Sequence, residues 1–274
     1  MLRGFYNSAS AMVANQRYQE TLTNNISNAN TPGYKQDQGV TRAFPEMLIK
    51  ESGRLQLPVK SGLNLPQDRG IGSMHTGMYL QETVPSFTQG GLRETGTATD
   101  VALLQKGAPD ETGFTFFNVR NEDGETRYTR NGNFTVDGEG FLTTNKGNYV
   151  LNAEGNPVQT GGMEFTVRND GTVEIDGEEE PLGITYTPDA SQFIKEGGDL
   201  FRAGEDAVTE EARGKEDMEF EVRQGMLERS NVDAQATMTE MMSNYRSFEL
   251  NQRVLRAYDQ NLQSAVTEIG RVQG

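Results

Sequence analysis

From Met238 onward, positions 238, 241, 245, 248, 252, 255, 259, 262, 266 and 269 step alternately by three and four, and eight of these ten are apolar. Their occupants are Met, Met, Tyr, Phe, Gln, Leu, Asp, Leu, Val and Ile, with mostly polar or charged residues between them. This spacing draws one apolar line along a helix, the seam of a coiled coil. A helix of about ten turns is longer than a compact domain of this size usually houses. The seam therefore calls for a partner along its length. Asp233 stands where a short carboxylate can accept from the free amides of the first turn and cap that helix.

A second helix is expected over residues 5–28. Phe5, Ala9, Met12, Leu22 and Ile26 share one face, but Gln16, Gln19 and Thr23 dilute it, so it is weak alone. It runs into Asn24-Asn25-Ile26-Ser27-Asn28-Ala29-Asn30-Thr31-Pro32-Gly33-Tyr34-Lys35. Asparagine tolerates left-handed backbone, Pro32 cannot continue a helix, and Gly33 takes positive φ without steric cost. No anionic residue sits among the asparagines, so the stretch reads as a rigid exit turn rather than a metal or sugar site.

The middle of the chain has a different texture. Residues 36–94 are rich in Gly, Pro, Ser, Gln and Thr with no lasting period; they read as an extended linker, with one or two helical turns over 44–50. From about 95 to 188, β-branched and aromatic runs at 114–119, 126–129, 133–136, 141–144, 149–152, 164–167, 172–175 and 183–187 alternate with turn pairs such as Asp123-Gly124, Asn131-Gly132, Asp137-Gly138 and Asp176-Gly177. These are hairpin signals. Residues 189–216 are acidic and Gly-rich with Phe193, Leu200 and Phe201 as isolated anchors, and Met218, Phe220 and Val222 alternate as a last strand. The fold class is α+β: N- and C-terminal helices pairing as a coiled-coil-like layer, with an inserted antiparallel β domain of hairpins partly closed into a barrel. The expected division is 1–35, 36–94, 95–225 and 226–274.

Charge and composition exclude several functions. The net charge is −15, and the stretch 164–221 holds 18 acidic against 5 basic residues, so −13 of it lies there. A phosphate-backbone partner is excluded on that balance, and the stretch reads as a solvated acidic surface. The absence of cysteine removes disulfides and thiolate chemistry. His75 is the sole histidine, a poor start for a metal site or triad. The first residues lack the apolar core of a cleaved signal, and no apolar run reaches membrane-span length. Glu178-Glu179-Glu180 and Glu210-Glu211 are adjacent acids of a surface run rather than a hydrolase pair set across a cleft. No phosphate loop, dinucleotide fingerprint, nucleophile elbow or calcium loop is present. No catalytic, cofactor or metal residue is expected.

The asparagine-rich turn carries a resemblance. With Asn24, Asn25, Asn28, Asn30, Thr31, Gly33 and Tyr34, it resembles the N-terminal signature of the bacterial flagellar hook–basal body rod proteins. Near the other end, Gly225-Met226-Leu227-Glu228-Arg229-Ser230-Asn231-Val232-Asp233 is similar to the second signature of that family, with Leu227, Glu228, Ser230, Asn231 and Val232 in matching places. Asp100-Val101-Ala102-Leu103 and Tyr128-Thr129-Arg130-Asn131-Gly132-Asn133-Phe134 fit weaker patterns between them. One departure is a stretched segment from Gly107 to Val119, read as a loop insertion. The FlgG/FlgF-like rod proteins, including bacillus-type variants, are the members it looks most like.

The resemblance implies a non-enzymatic structural subunit of the flagellar rod. It would assemble through its terminal helices into the axial tube that crosses the cell wall, transmits torque and carries export. The expected partners are further copies, neighbouring rod or hook subunits and the flagellar type III export apparatus; the chain would leave the cytoplasm through the flagellar channel and span no membrane. The expected association surface is Met241, Tyr245, Phe248, Leu255, Leu262, Val266 and Ile269, with Met12, Leu22 and Ile26 opposite. Two other classes compete: a rod-associated cell-wall processing enzyme, which needs a carboxylate pair in one cleft, and a soluble coiled-coil adaptor of fixed small oligomeric state.

Overall fold

A computed structural model of the chain describes residues 2–56, 64–107, 109–110, 112–197, 199–215 and 218–271, with the side chains of 2, 51–56, 64–69, 214 and 269–271 outside that description. Two helices, α1 (Leu2–Ser27) and α2 (Ala234–Arg271), bracket a succession of antiparallel strands. The chain divides into two compact units: Met1–Thr23, Gly39–Thr83 and Met238–Gly274 form the first, Asn24–Gln38 and Val84–Thr237 the second.

In the second unit the strand Phe114–Arg120 is central. One edge pairs with Thr126–Thr129 across the Asp123-Gly124 turn, while the other is shared by Ile184–Thr187 and Tyr149–Val150. Strand alternation sends its side chains two ways. Phe117 and Val119 enter an aliphatic core with Val101, Leu142, Val150, Leu182 and Val222. Phe114 and Phe116 enter an aromatic cluster with Phe193, Phe201, Phe87 and Tyr128, in which Phe116 and Phe193 stack at 5.0 Å. Phe193 and Phe201, isolated in the sequence, thus belong to one cluster; they lie on the strands Phe193–Gly197 and Leu200–Ala203. The sheet runs outward through these on one side and through Leu142–Thr144 and Phe134–Val136 on the other. Among the described residues no pairing closes this path, so the expected partial barrel does not follow from the strand order.

Most of the hairpins expected from Asp/Asn-Gly pairs are present, and Glu178–Pro181 is among the strands that were not expected. Glu178–Pro181 pairs with Thr172–Ile175 across Asp176 (φ 49°) and Gly177 (φ 87°), a tight turn that demands positive φ at both positions. The pairing sets Glu174 opposite Glu179. Like charges in that position repel, and Arg168 Nη2 relieves them at 3.1 and 2.8 Å.

The first unit contains the segment in which no period was legible. Met47–Gln56 pairs with Asn64–Met74 as a long two-stranded ribbon, and Asp37–Ala43 pairs with Met78–Pro85. The helical turns expected over 44–50 are replaced by strand from Met47, because each residue there finds a cross-strand backbone partner. Along α2 the buried or half-buried positions are Ala234, Thr237, Met241, Asn244, Phe248, Glu249, Asn251, Gln252, Leu255, Tyr258, Leu262 and Ala265. Met241, Phe248, Gln252, Leu255 and Leu262 coincide with the apolar line read from the sequence, whereas Thr237, Asn244, Asn251, Tyr258 and Ala265 fall one residue before it. The reason is hydrogen bonding: Asn244 Nδ2 donates to the Asn15 carbonyl of α1 at 2.7 Å, and the Tyr18 hydroxyl donates to Glu240. Polar groups with partners displace apolar ones from that face.

Phe116 is fully buried in the aromatic cluster. Its replacement by Ala is expected to cost about 3–5 kcal/mol in urea unfolding of the full chain. Ile194→Ala, at a residue 49% exposed on a neighbouring strand, should cost under about 0.5 kcal/mol. Equal effects would contradict the packing described.

Candidate functional site

The two signature segments, almost 200 residues apart in sequence, meet in the second unit. Asn25 is fully buried at the end of α1. Its Nδ2 donates to the Asp37 carbonyl at 2.8 Å and its Oδ1 accepts from the Asp37 amide at 2.9 Å, fastening the chain after the turn to the helix before it. Asn28 Nδ2 donates to Asn24 Oδ1 at 2.8 Å, and Asn28 Oδ1 accepts from the Thr31 hydroxyl at 3.2 Å. Gly33 has φ +68°, and a Cβ there would lie 2.4 Å from the carbonyl carbon of Arg130. Both backbone sign and close approach therefore require glycine. The Gly33 amide donates to the Glu228 carbonyl at 2.9 Å, the first direct bond between the signatures.

Asn231 makes the next. Its Oδ1 accepts from the Gln36 amide at 2.7 Å, and its Nδ2 donates to the Ser86 carbonyl and the Thr88 hydroxyl, both at 2.8 Å. Ser230 Oγ accepts from the Val232 amide at 3.2 Å, and Asp233 Oδ1 caps α2 through the amides of Gln235 and Ala236 at 2.9 and 3.1 Å. Leu227 is buried on the strand Met226–Glu228, which pairs with Leu92–Glu94. Tyr34 is buried with its ring under Lys195 Nζ at 3.7 Å; that ammonium also donates to Asp37 Oδ2 and the Lys35 carbonyl, each at 3.1 Å. Burial, with Asp37 beside it, pushes the Tyr34 hydroxyl well above the usual tyrosine range.

At the centre are three charges with no solvent contact. Lys35 Nζ lies 2.7 Å from Glu228 Oε1, and Arg130 Nε lies 2.6 Å from Glu228 Oε2; all three side chains have zero exposure. Remaining donors are spent on backbone and hydroxyl: Lys35 on the Thr88 carbonyl, Arg130 on the carbonyls of Thr115 and Leu103 and on Thr115 Oγ1. The Gly90 amide gives Glu228 Oε1 a further bond at 2.8 Å. Both cations also sit over the Phe114 ring, at 4.7 and 4.5 Å. Burial lowers the Lys35 ammonium to about 8, against the upward pull of Glu228. Burial alone would raise the Glu228 carboxyl, but Arg130 and Lys35 outweigh it and hold the group below the usual range.

This arrangement holds segments together and is not built to receive a ligand. The adjoining hollow, lined by Ala29, Asn30, Pro32, Arg93 and Arg229 among others, has about 90 Å³, well short of an ordinary ligand pocket. Among the described residues no cluster of His, Asp or Glu could hold a metal, and no helix is long and apolar enough to cross a membrane. Arg130, Lys35 and Lys195 were not expected as site residues. Lys35 and Arg130 lie in the motif stretches read from the sequence but carry no local mark of burial there, and Lys195 lies outside those stretches.

The association residues divide differently. Leu22 is buried; Met12, Ile26, Met241, Phe248, Leu255 and Leu262 are half-buried; Tyr245 and Val266 are 55% and 72% exposed. Ile269 lies in α2 with its side chain outside the description.

Three family models match the chain: "Flagella basal body rod protein" over residues 5–35, "Flagellar hook protein FlgE/F/G D1 domain" over 112–175, and "Flagellar basal body rod FlgEFG protein C-terminal" over 223–268. Along its length the chain is 38% identical to the flagellar hook-basal body complex protein FlhO of Bacillus subtilis, over 99% of this chain and 100% of the relative. This chain belongs to the flagellar hook–basal body rod protein family. It is a structural subunit of the flagellar basal body and not an enzyme. Other relatives of this rod-family chain are the basal-body rod protein FlgG of Borreliella burgdorferi, 29% identical over 96% of the chain and 97% of the relative. The rod protein FlgF of Escherichia coli is 28% identical over 95% and 96%. The family models cover both signature segments, which the structure joins at Gly33, Lys35 and Glu228.

Two outcomes are expected at this junction. Glu228→Gln leaves two buried cations short of their counter-charge and should destabilise the second unit by about 3–5 kcal/mol in denaturant unfolding; a loss under about 1 kcal/mol would contradict the buried network. The second is a pH effect. Because the folded Lys35 pKa is about 8, below its unfolded value, the unfolded chain holds more protons above that pH. Stability contributed through this group therefore rises with pH, by on the order of 1–2 kcal/mol between about pH 7 and 9.5. The raised Tyr34 opposes it only beyond about pH 10. Lys35→Met should lack the rise; an identical pH profile in both proteins would refute the assignment.

Proposed function

We propose that the rod-family subunit assembles through its terminal helices, which pair as a coiled-coil-like layer and present their outer apolar side chains to neighbouring copies. The observation that carries this reading is that α2 wears its apolar residues outward. Met238, Met242, Tyr245, Leu250, Val254 and Val266 are exposed, whereas Thr237 and Asn244 are 3% and 8% exposed. A monomeric helix gains nothing from that distribution; a helix that acquires a second covering surface on assembly does. The association surface comprises Met241, Tyr245, Phe248, Leu255, Leu262, Val266 and Ile269, with Met12, Leu22 and Ile26 opposite.

Head-to-tail contacts that do not close a ring propagate as a filament, which suits an axial tube that transmits torque and carries export. In this reading residues 1–35 and 226–274 form the wall, 95–225 the inserted β domain, and 36–94 a segment that meets adjacent subunits. The partners are copies of the chain, adjoining rod or hook subunits and, during delivery through the flagellar channel, the type III export apparatus.

The test uses the exposed members of the surface. Tyr245→Glu with Val266→Glu should shift the monomer's stability by no more than about 0.5 kcal/mol, as surface substitutions do, yet prevent incorporation into isolated basal bodies. Normal incorporation would refute the surface, and a monomer destabilised by several kcal/mol would show that these residues belong to the chain's own core.

A further inference from the structure

Within the first unit the helices touch through contacts that are exact in geometry and poor in apolar area. Asn244, nearly buried, donates to the Asn15 carbonyl at 2.7 Å. The Tyr18 hydroxyl donates to Glu240. Gly4 faces Tyr258 so closely that a Cβ on it would lie 2.0 Å from the Tyr258 hydroxyl oxygen and 2.6 Å from Cζ. As numbers fall along α1 from 18 through 15 to 4, they rise along α2 from 240 through 244 to 258, so the helices run antiparallel and all three contacts agree on one alignment.

Apolar burial alone would not select that alignment. The facing positions of α2 repeat every seven residues with similar content: Met241, Phe248, Leu255 and Leu262 on one line, Asn244, Asn251, Tyr258 and Ala265 on the other. A slip of one heptad, about 10 Å at 1.5 Å per residue, sets apolar against apolar nearly as before. The slip forfeits the Asn244 bond, leaving a buried amide unpaired, and moves Tyr258 off the one residue on α1 that has no side chain in its way.

We propose that Asn244, through the Asn15 carbonyl, and Tyr258, seated on Gly4, are the register-determining residues of the helix pair. They select its alignment and contribute little to its stability. The consequence rests on the assembly reading above: a slipped pair would carry Tyr245 and Val266 about 10 Å along the axis and break the continuity of the outer surface. Asn251 offers an internal comparison, because among the described residues its Nδ2 bonds the Ser247 carbonyl of its own helix, at 3.0 Å, and no group of α1.

The chain has no cysteine, so spin labels can be placed on the full protein at Val13→Cys and Arg256→Cys, both exposed and offset by about 15 Å along the axis in the observed alignment. Pulsed electron resonance should give one distance in this background and in Asn251→Leu. Asn244→Leu should give a split distribution, its maxima several ångströms apart, with helical circular dichroism and thermal midpoint unchanged or higher. A single unshifted distance in Asn244→Leu overturns the proposal, as does equal splitting in Asn251→Leu. Gly4→Ala, which moves the second contact without adding polarity, should shift the distance as well; an unchanged distance there removes Tyr258 from the assignment. Incorporation into basal bodies separates the two readings: a split Asn244→Leu that incorporates normally upholds the register residues and overturns the assembly surface, whereas a split variant that fails to incorporate supports both.

Discussion

The structure depends on a carboxylate that neutralises two cations out of contact with water. Glu228, Lys35 and Arg130 come from three distant parts of the chain, and each is fully buried. Desolvating such groups costs more than their attraction returns unless every partner is present. The cluster is therefore conditional: it is favourable only when the N-terminal turn, the central sheet and the C-terminal strand are all in place. Its backbone partners, the carbonyls of Thr88, Thr115 and Leu103 and the amide of Gly90, extend the condition to the elements around it. Specific joining of the two signature segments within the second unit is what this arrangement provides. Simple apolar contacts in the same place would tolerate looser alternatives.

At the junction both helices have defined ends. Asn25 ties the last turn of α1 to Asp37, and Asp233 caps the first turn of α2. Beyond those ends α2 sets the hydrogen-bonded Asn244 beside half-buried Met241, Phe248, Leu255 and Leu262, while Met238, Met242, Tyr245, Leu250, Val254 and Val266 are exposed. In the proposed assembly, neighbouring subunits would cover those exposed apolar side chains. The acidic middle complements this. Glu178, Glu179 and Pro181 occupy an edge strand of the small sheet, where charge and a missing amide discourage edge-to-edge pairing.

The sequence was legible wherever local chemistry dictates structure. Asp-Gly and Asn-Gly pairs announced the hairpins because few other residues accept positive φ, and the 3–4 spacing announced α2. The signature residues were legible as a turn. Their joint site was not, since Lys35 and Arg130 look like surface charges until Glu228 is brought beside them by tertiary structure. Glu178–Pro181 was missed for the same reason: a run of glutamates has low strand propensity, and the Asp176-Gly177 turn overrides it. In the ribbon over Met47–Gln56 and Asn64–Met74 none of the described side chains is buried, so no buried face among them imposes a period. The apolar line read on α2 holds half-buried Met241, Phe248, Leu255 and Leu262 and exposed Tyr245 and Val266, while hydrogen-bonded Asn244 takes a buried place beside it.

Native-state hydrogen exchange tests the closure most directly. The amides of Gly33, Gln36, Gly90 and Arg229 are bonded across the junction, and Phe117 and Val119 lie in the central sheet. If the buried charges make the junction part of the same cooperative unit, all six should exchange through one opening, with equal free energies and equal denaturant dependence. Junction amides that exchange by a separate opening several kcal/mol lower, while the sheet stays protected, would show that the ends are only docked on a finished core, and the account would fail.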